Sequence, residues 1–472
     1  MSRVVERDIL NYLGFQGSEW LRAPYWTESD AAGWKRILNF TDRAGLTIHL
    51  RGRLQHRNHY DALPTPVQNR LEGNLESNRT RTGVLIQEFL QINRHLQAAG
   101  IRYVNLKGLL LSPRFIERPE YRVQYDFDLL VGDEDKITTY NSLQELGYNP
   151  AHRRESQRAD HLPPLIKKTG WEWHGDYFDP KIPPGVEVHY QLWDPKFERI
   201  PVLLFDDAWE KTSLLEYQSF KVPVLSPNHE LLYLTLHCCR HLLRSDLRLS
   251  HIFELAYFVN HNSGNREFWD RFLVWLSQCP NSSRMVATSI ALAVKLFQPE
   301  TSVLLRRWIH ENLKPAADRW IESFGARDAP HGYRKNKNVL FLHLSLLDRK
   351  VDQWGILQKR VLPRQLPLAV AGIYLPDEEN GPFLRGYHFL LYFGYLAGRT
   401  FFHVVSLFWL CLHLPAWLWF LRHPSKSEFQ RQRNGPHLAG RNQLSVKADK
   451  FITGVRDSQI DDIESVQKVG TE

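Results

Sequence analysis

Cysteine is scarce in this 472-residue chain, and what there is does not form a framework. Cys238, Cys239, Cys279 and Cys411 show neither metal-ligand spacing nor a disulfide pattern. Cys238 and Cys239 are adjacent in a helical stretch, so they read as small buried residues of a reducing compartment. A secretory signal is also missing: MSRVVERDILNYLGF carries charges throughout and no long apolar core. The main body is therefore expected in the cytoplasm. No kinase-type glycine-rich loop and no repeat of fixed period occur. His237 and His241 lie four apart on one helical face, but Cys238 stands where a zinc hydrolase needs Glu, which argues against that chemistry. Charge of one sign is not extreme either. A formal net charge of +8 favours anionic partners such as nucleotides, acidic lipids or nucleic acid without choosing among them, and a solvated basic surface explains it equally well. Hydrophobic residues at 43% and charged residues at 24% are those of a globular protein with room for two or three domains.

What is present is concentrated in IRYVNLKGLLLSPRFIERPEYRVQYDFDLLV, residues 101–131. Ile101 to Leu106 reads as a short strand ending at Lys107-Gly108, and Tyr125 to Val131 as a second. Side chains two apart on a strand share a face, so Asp126 and Asp128 point the same way, with Phe127 and Leu129 opposite. Carboxylates this close repel unless a positive charge sits between them, and oxygen ligation points to magnesium or manganese. Lys107 and Arg122 lie in the same stretch to hold phosphates. Phosphoryl or nucleotidyl transfer is the chemistry this implies.

These residues resemble a known family. Leu106-Lys107-Gly108, Arg122 four residues ahead of Asp126-Phe127-Asp128-Leu129-Leu130-Val131, and Leu146-Gly147-Tyr148 look like the uncharacterised bacterial nucleotidyltransferase family, within the superfamily of DNA polymerase beta. The segment Gly185-Val186-Glu187-Val188-His189-Tyr190 resembles the strand that carries the superfamily's third carboxylate. The helix LYLTLHCCRHLLR and the following LRLSHIFEL also look like the family. The likeness spans about 34–299. It departs at Lys107-Gly108, where Gly-Ser is usual, and at Pro113, which interrupts the expected helix.

The fold class expected is α+β, a small mixed sheet embedded in a mostly helical protein. Residues 1–96 read as an N-terminal helical region, with Leu85, Phe89, Ile92 and Leu96 on one face and Gly100 as the stop. Asn78, Arg81 and Thr82 form a polar patch before that stripe, either reaching a nucleotide or, more simply, a solvated face. The nucleotidyltransferase core is placed at 97–225. Within it Asp133 is expected to cap a helix ending at Gly147, Trp171 to Tyr177 reads as a strand, and Val186 and Val188 alternate against Glu187 and His189. Ser226-Pro227 opens a helical domain, 226–325. A C-terminal helical region follows at 326–423, with a loop expected at 375–382. Residues 400–421, TFFHVVSLFWLCLHLPAWLWFL, are apolar and long enough to cross or enter a bilayer, although His403, His413 and Pro415 favour a buried or partner-covered helix. The tail, 424–472, reads as disordered.

The resemblance and the residues together imply these roles. Asp126, Asp128 and Glu187 hold magnesium or manganese and carry catalysis, Glu187 as ligand or general base. Lys107, Gly108 and Arg122 bind the phosphates of a nucleoside triphosphate. Glu187 also reads as a plain sheet-face carboxylate, and His189 as structural rather than catalytic. His237, His241 and Arg248 are candidate cleft residues, set against a domain-packing cluster or a structural zinc site with His251 or Cys238. The activity expected is transfer of a nucleoside monophosphate to a hydroxyl-bearing acceptor, a glycan, lipid-linked or small molecule rather than nucleic acid. The rival is a non-catalytic nucleotide- or partner-binding module on the same fold, held at a membrane by 400–421. A kinase is the third alternative.

Overall fold

Alternation of apolar and polar residues builds the centre of the molecule. In the computed structural model, which describes residues 2–16, 22–150, 160–363 and 382–423, seven short strands form one mixed sheet. They are β1 (Tyr103–Leu106), β2 (Asp126–Val131), β3 (Tyr148–Pro150), β4 (Leu165–Lys167), β5 (Gly185–His189), β6 (Ser213–Tyr217) and β7 (Phe220–Val224), in the order β3-β4-β5-β2-β1-β7-β6. The pairs β2–β5 and β1–β7 are parallel and the remaining neighbours antiparallel. With helices before and after this sheet, the fold is α+β.

Three helices, α1 (Ser2–Tyr12), α2 (Ala31–Ala44) and α3 (Thr47–His56), precede the 34-residue α4 (Thr65–Ala98). Asp30 caps α2 through the Gly33 amide, and Pro64 takes the cap position of α4. The stripe Leu85, Phe89, Ile92 and Leu96 of α4 packs on Phe127, Leu129, Val131, Val186 and Val188, which turn to one face of the sheet. Gly100, at φ +68°, ends the helix and starts β1. The cap of helix α5 (Lys136–Glu145) is Asp135, two residues after the expected Asp133, which accepts a bond from Lys136 at 2.6 Å instead, and Gly147 closes the far end at φ +85°.

The expected strand at Trp171–Tyr177 is irregular. Gly170 and Gly175 take left-handed backbone angles on either side of Trp171 and Trp173, which breaks an extended run, and β4 pairs with β5 in its place.

After the one-turn α6 (Pro195–Glu198) and the β6–β7 hairpin, the chain is helical: α7 (Pro227–Arg244), α8 (Leu249–His261), α9 (Arg266–Leu276), α10 (Pro280–Phe297), α11 (Val303–Asn312) and α12 (Pro315–Trp320). Short turns, including α13 (Ala326–Asp328), lead to α14 (Val339–Leu346) and α15 (Lys350–Val361). The last described helix is α16 (Pro382–Arg422), with Pro415 inside it. Its length and apolarity would suffice to cross a membrane. One stripe of it touches the body: His403 meets the Val361 carbonyl at 3.0 Å, His413 meets Asn338 at 3.1 Å, and Trp417 stacks on Phe341. The described residues all lie in one compact unit. The expected loop at 375–382, all but its last residue, and the tail 424–472 lie outside the described residues.

Candidate metal centre

The register of the parallel pair β2–β5 decides which carboxylates meet. Asp128 pairs with Glu187 and Asp126 with Gly185, so all three acids share the face opposite the α4 core. His189, two residues beyond Glu187, joins them. Donor atoms of Asp128, Glu187 and His189 lie within 4.8 Å of one another. His189 Nε2 is 3.1 Å from Asp128 Oδ1 and 3.5 Å from Glu187 Oε2. His189 thus belongs to the cluster, which a purely structural assignment would not require. His161 stands beside it at 5.1 Å between rings.

Lys107 enters from the end of β1. Its backbone takes φ +44° and ψ −148°, a region that favours glycine, and Gly108 follows at φ +71°. A side chain on Gly108 would place its first carbon 2.7 Å from Gln124 Nε2, and Gln124 in turn donates to the Asp126 carbonyl at 2.7 Å. The unusual turn is therefore clasped to the start of β2, and it aims the ammonium at Asp128 Oδ2, 3.2 Å away. A single 3-10 turn, Gly108–Leu111, replaces the helix that Pro113 interrupts.

The charges are strongly coupled. Burial would raise the Asp128 carboxyl, but Lys107 and the bond from His189 outweigh it and hold it below its ordinary value. Glu187 is likewise driven down against burial by His189, His161 and Lys107. Asp126 goes the other way, to about 6, because burial and the neighbouring Asp128 charge outweigh Lys107. His189 and Lys107 are both raised by these acids despite burial. Of the three acids only Asp126 is left without enough cationic compensation, and Asp128 Oδ2 faces Lys107 without completing a hydrogen bond. Three crowded carboxylates and one imidazole suit a divalent metal.

The other expected residues divide. Arg122 is buried and its Nε donates to Glu254 at 2.8 Å, so this guanidinium is engaged within the protein rather than turned to open space. His237 does reach the centre, with Nε2 3.2 Å from Lys107 Nζ, and His241 Nε2 is 3.1 Å from His237 Nε2. His251 completes a group of three rings, 5.0 Å from His237. Burial holds all three below their ordinary pKa, and nearby cations add to this, opposed at His241 by Asp246. Among the described residues the metal-type cluster is the Asp128 group and not these histidines. Arg248 lies 5.1 Å from the Tyr125 ring centre, and Arg81 lies 4.9 Å from it, so two guanidiniums attend the residue next to Asp126.

Arg81 is the residue that sequence reasoning undervalued. It is 1% exposed, and its three guanidinium nitrogens have no hydrogen-bond partner among the described residues. Burial lowers it to about 10. Asn78 and Thr82 are buried with it, Asn78 donating to the Glu120 and Arg122 carbonyls at 2.6 and 3.1 Å. The signal was available. Positions 78, 81, 82, 85 and 89 continue one helical stripe, so the polar patch sits on the buried side of α4 rather than on a solvated face.

A family model described as an uncharacterised nucleotidyltransferase matches residues 30–298, which takes in the sheet, the acidic centre and α7–α10. No curated protein and no solved structure matches the chain.

Proposed function

The chain belongs to this uncharacterised nucleotidyltransferase family, and from that premise we propose that it is a metal-dependent nucleotidyltransferase of the polymerase beta-like kind. It moves a nucleoside monophosphate from a nucleoside triphosphate to a hydroxyl-bearing acceptor. The observation that carries this reading is the register of β2 and β5, which sets Asp128 beside Glu187 with Asp126 on the same face. Asp126, Asp128 and Glu187 would hold the metal, with His189 as a further ligand or as the group that orients Asp128. Magnesium or manganese suits an oxygen-rich set, and when bound it supplies Lewis-acid charge on the phosphates and lowers the pKa of the acceptor hydroxyl.

The chain's own residues do the rest. Lys107 brings a positive charge to the phosphates from a fixed turn, with Gly108 giving the backbone room. Arg122 keeps Glu254 paired and so positions the wall behind Lys107, while Arg81 and Arg248 stand next to Asp126 as further cations for a triphosphate. Glu187 serves better as ligand than as base, because its carboxyl is held far below its ordinary value. The catalytic core on this proposal comprises residues 97–225. A cytoplasmic site of action supplies the triphosphate. A glycan, lipid-linked or small-molecule acceptor fits better than nucleic acid, since α16 presents an exposed apolar face.

One observation favours a second reading, a nucleotide- or partner-binding module without turnover. Lys107 and Arg122 are both already paired with acids inside the protein. Calorimetry with a non-hydrolysable triphosphate, with and without magnesium, tests the proposal. Magnesium-dependent binding that disappears in Asp126→Asn/Asp128→Asn supports the site, and α-phosphate label reaching an acceptor separates turnover from binding alone. Binding that persists unchanged in the folded double variant would sink the proposed site.

A further inference from the structure

Away from the acidic centre, the end of α7, the loop before α14, the end of α15 and α16 enclose a cavity of about 320 Å³, within the range of small-ligand sites. Arg244, Arg334, Lys337, Arg360 and Arg399 line it, against one acid on the wall, Asp246. Two of the cations have internal partners: Arg244 pairs with buried Glu198 at 2.7 Å, and Arg360 donates to the Leu243 carbonyl. The other three make no hydrogen bond or close ion pair to a carboxylate among the described residues, although Arg334 lies near enough to Asp246 to hold its carboxyl down. Lys337 reaches only the Arg360 carbonyl, at 3.3 Å, and Arg334 only the Asp246 carbonyl, at 3.5 Å. Burial, with Arg360 and Arg399 close by, pushes the Lys337 ammonium down to about 8, as expected where cations outnumber acids.

Arg399 belongs to α16, and next to it begins a broad apolar surface. Phe401 is 72% exposed, and Val404, Phe408, Trp409, Leu412 and Trp419 follow with two-fifths or more of their surface bare. The opposite stripe, from His403 to Trp417, is held on the protein body. A helix that spans a bilayer keeps its middle against hydrocarbon or against other membrane-buried protein. This one has its middle packed on a globular body containing Asn338 and Asp328, so it suits the plane of the interface instead.

We propose that this pocket binds the phosphate of an anionic membrane phospholipid, with the bare face of α16 set into the same leaflet beside it. Free phosphate offers the same charge, but only a lipid also covers the apolar surface that adjoins Arg399. Basic residues next to an inserted apolar face are what recognition of an anionic leaflet requires. The inference does not depend on nucleotidyl transfer, and either can fail alone.

Co-sedimentation of the full chain with vesicles tests it. Vesicles of phosphatidylcholine containing phosphatidylglycerol should bind at least about tenfold more tightly than phosphatidylcholine alone, with binding weakened by salt. Replacing Arg334, Lys337 and Arg399 together by Gln should lower that affinity by roughly fivefold per lost cation, with an unchanged melting temperature. Should the triple variant fail to fold, Arg399→Gln alone removes an exposed side chain and should still cost about fivefold. Equal binding to neutral and anionic vesicles would overturn the headgroup pocket, as would variants that bind like the wild type. Binding of inorganic pyrophosphate without any vesicle binding would overturn the lipid and leave a site for soluble anions.

Discussion

Asp128 and Leu129 are neighbours on β2, yet they belong to opposite environments. Leu129 enters an apolar layer with Phe89, Ile92, Val186 and Val188, where every contact favours folding. Asp128 enters a layer of three acids, Lys107 and several histidines, where burial opposes each charge and only the neighbours offset it. One face of the sheet therefore holds the fold, and the other holds buried charge that folding alone would not select. Such a division is the mark of a functional surface supported by a structural one.

The sharpest way to break that comparison is to mutate across it. Asp128→Asn should lower nucleotidyl transfer, or magnesium-dependent triphosphate binding if the acceptor is unknown, by at least about a thousandfold, as for removal of a principal charge at a reacting centre. Its stability should change less than that of Leu129→Ala, which should cost about 2–5 kcal/mol in denaturant unfolding while the folded fraction still binds metal. If both variants lost binding and stability together, the two faces would not be separable. Next in size, Glu254→Gln should cost about 3–5 kcal/mol, because it leaves Arg122 buried without its hydrogen-bonded carboxylate. Arg122→Met/Glu254→Leu should cost clearly less than Glu254→Gln, and a larger loss in the double variant would show that the pair does more than satisfy itself.

Much of this division was legible in the chain. Period-two alternation in 126–131 and 185–189 announced both faces, since Phe127, Leu129, Val186 and Val188 separate from the acids by spacing alone. The helix stops at Gly100 and Gly147 were equally readable, because a left-handed angle there requires glycine. What could not be read were facts of register and long-range packing. That Asp128 pairs with Glu187, and so brings His189 into the group, depends on how two strands 60 residues apart slide past each other. That Arg122 turns to Glu254 depends on α8, far along the chain. The hairpin of β6 and β7 was obscured because its outer strand is largely exposed and carries little alternation. Arg81 was misjudged for a different reason: chemistry suggested solvent, while helical spacing placed it inside.

A smaller effect concerns pH and sharpens the contrast on the charged side. Asp126 has a folded-state pKa near 6, above its ordinary value of 3.8. A raised carboxyl adds stability that is fully present below the unfolded pKa and is lost as pH rises through the folded one. Without metal, wild type should therefore lose stability relative to Asp126→Asn between about pH 4 and pH 7. The full shift corresponds to about 3 kcal/mol, and partial exposure of Asp126 brings the expected loss nearer about 2 kcal/mol. Unfolding curves at several pH values measure it, and parallel stability profiles for the two proteins would contradict the crowding of Asp126 by Asp128.

The smallest expected effect tests whether the two faces act independently. A ligand that binds only the folded chain stabilises it by RT ln(1 + [L]/Kd), so magnesium at about ten times its dissociation constant should add about 1.4 kcal/mol. Leu129→Ala, though weakened, keeps its acids on the same strand and should gain the same increment as wild type. Asp128→Asn should gain little, because the remaining acids lose the carboxylate that bridges them. Comparing increments rather than melting points removes the difference in starting stability, which is why the small effect is informative. An increment lost in Leu129→Ala would mean that apolar packing sets the spacing of β2 and β5 closely enough to govern the metal centre. The α4 core would then be part of the site as well as its support.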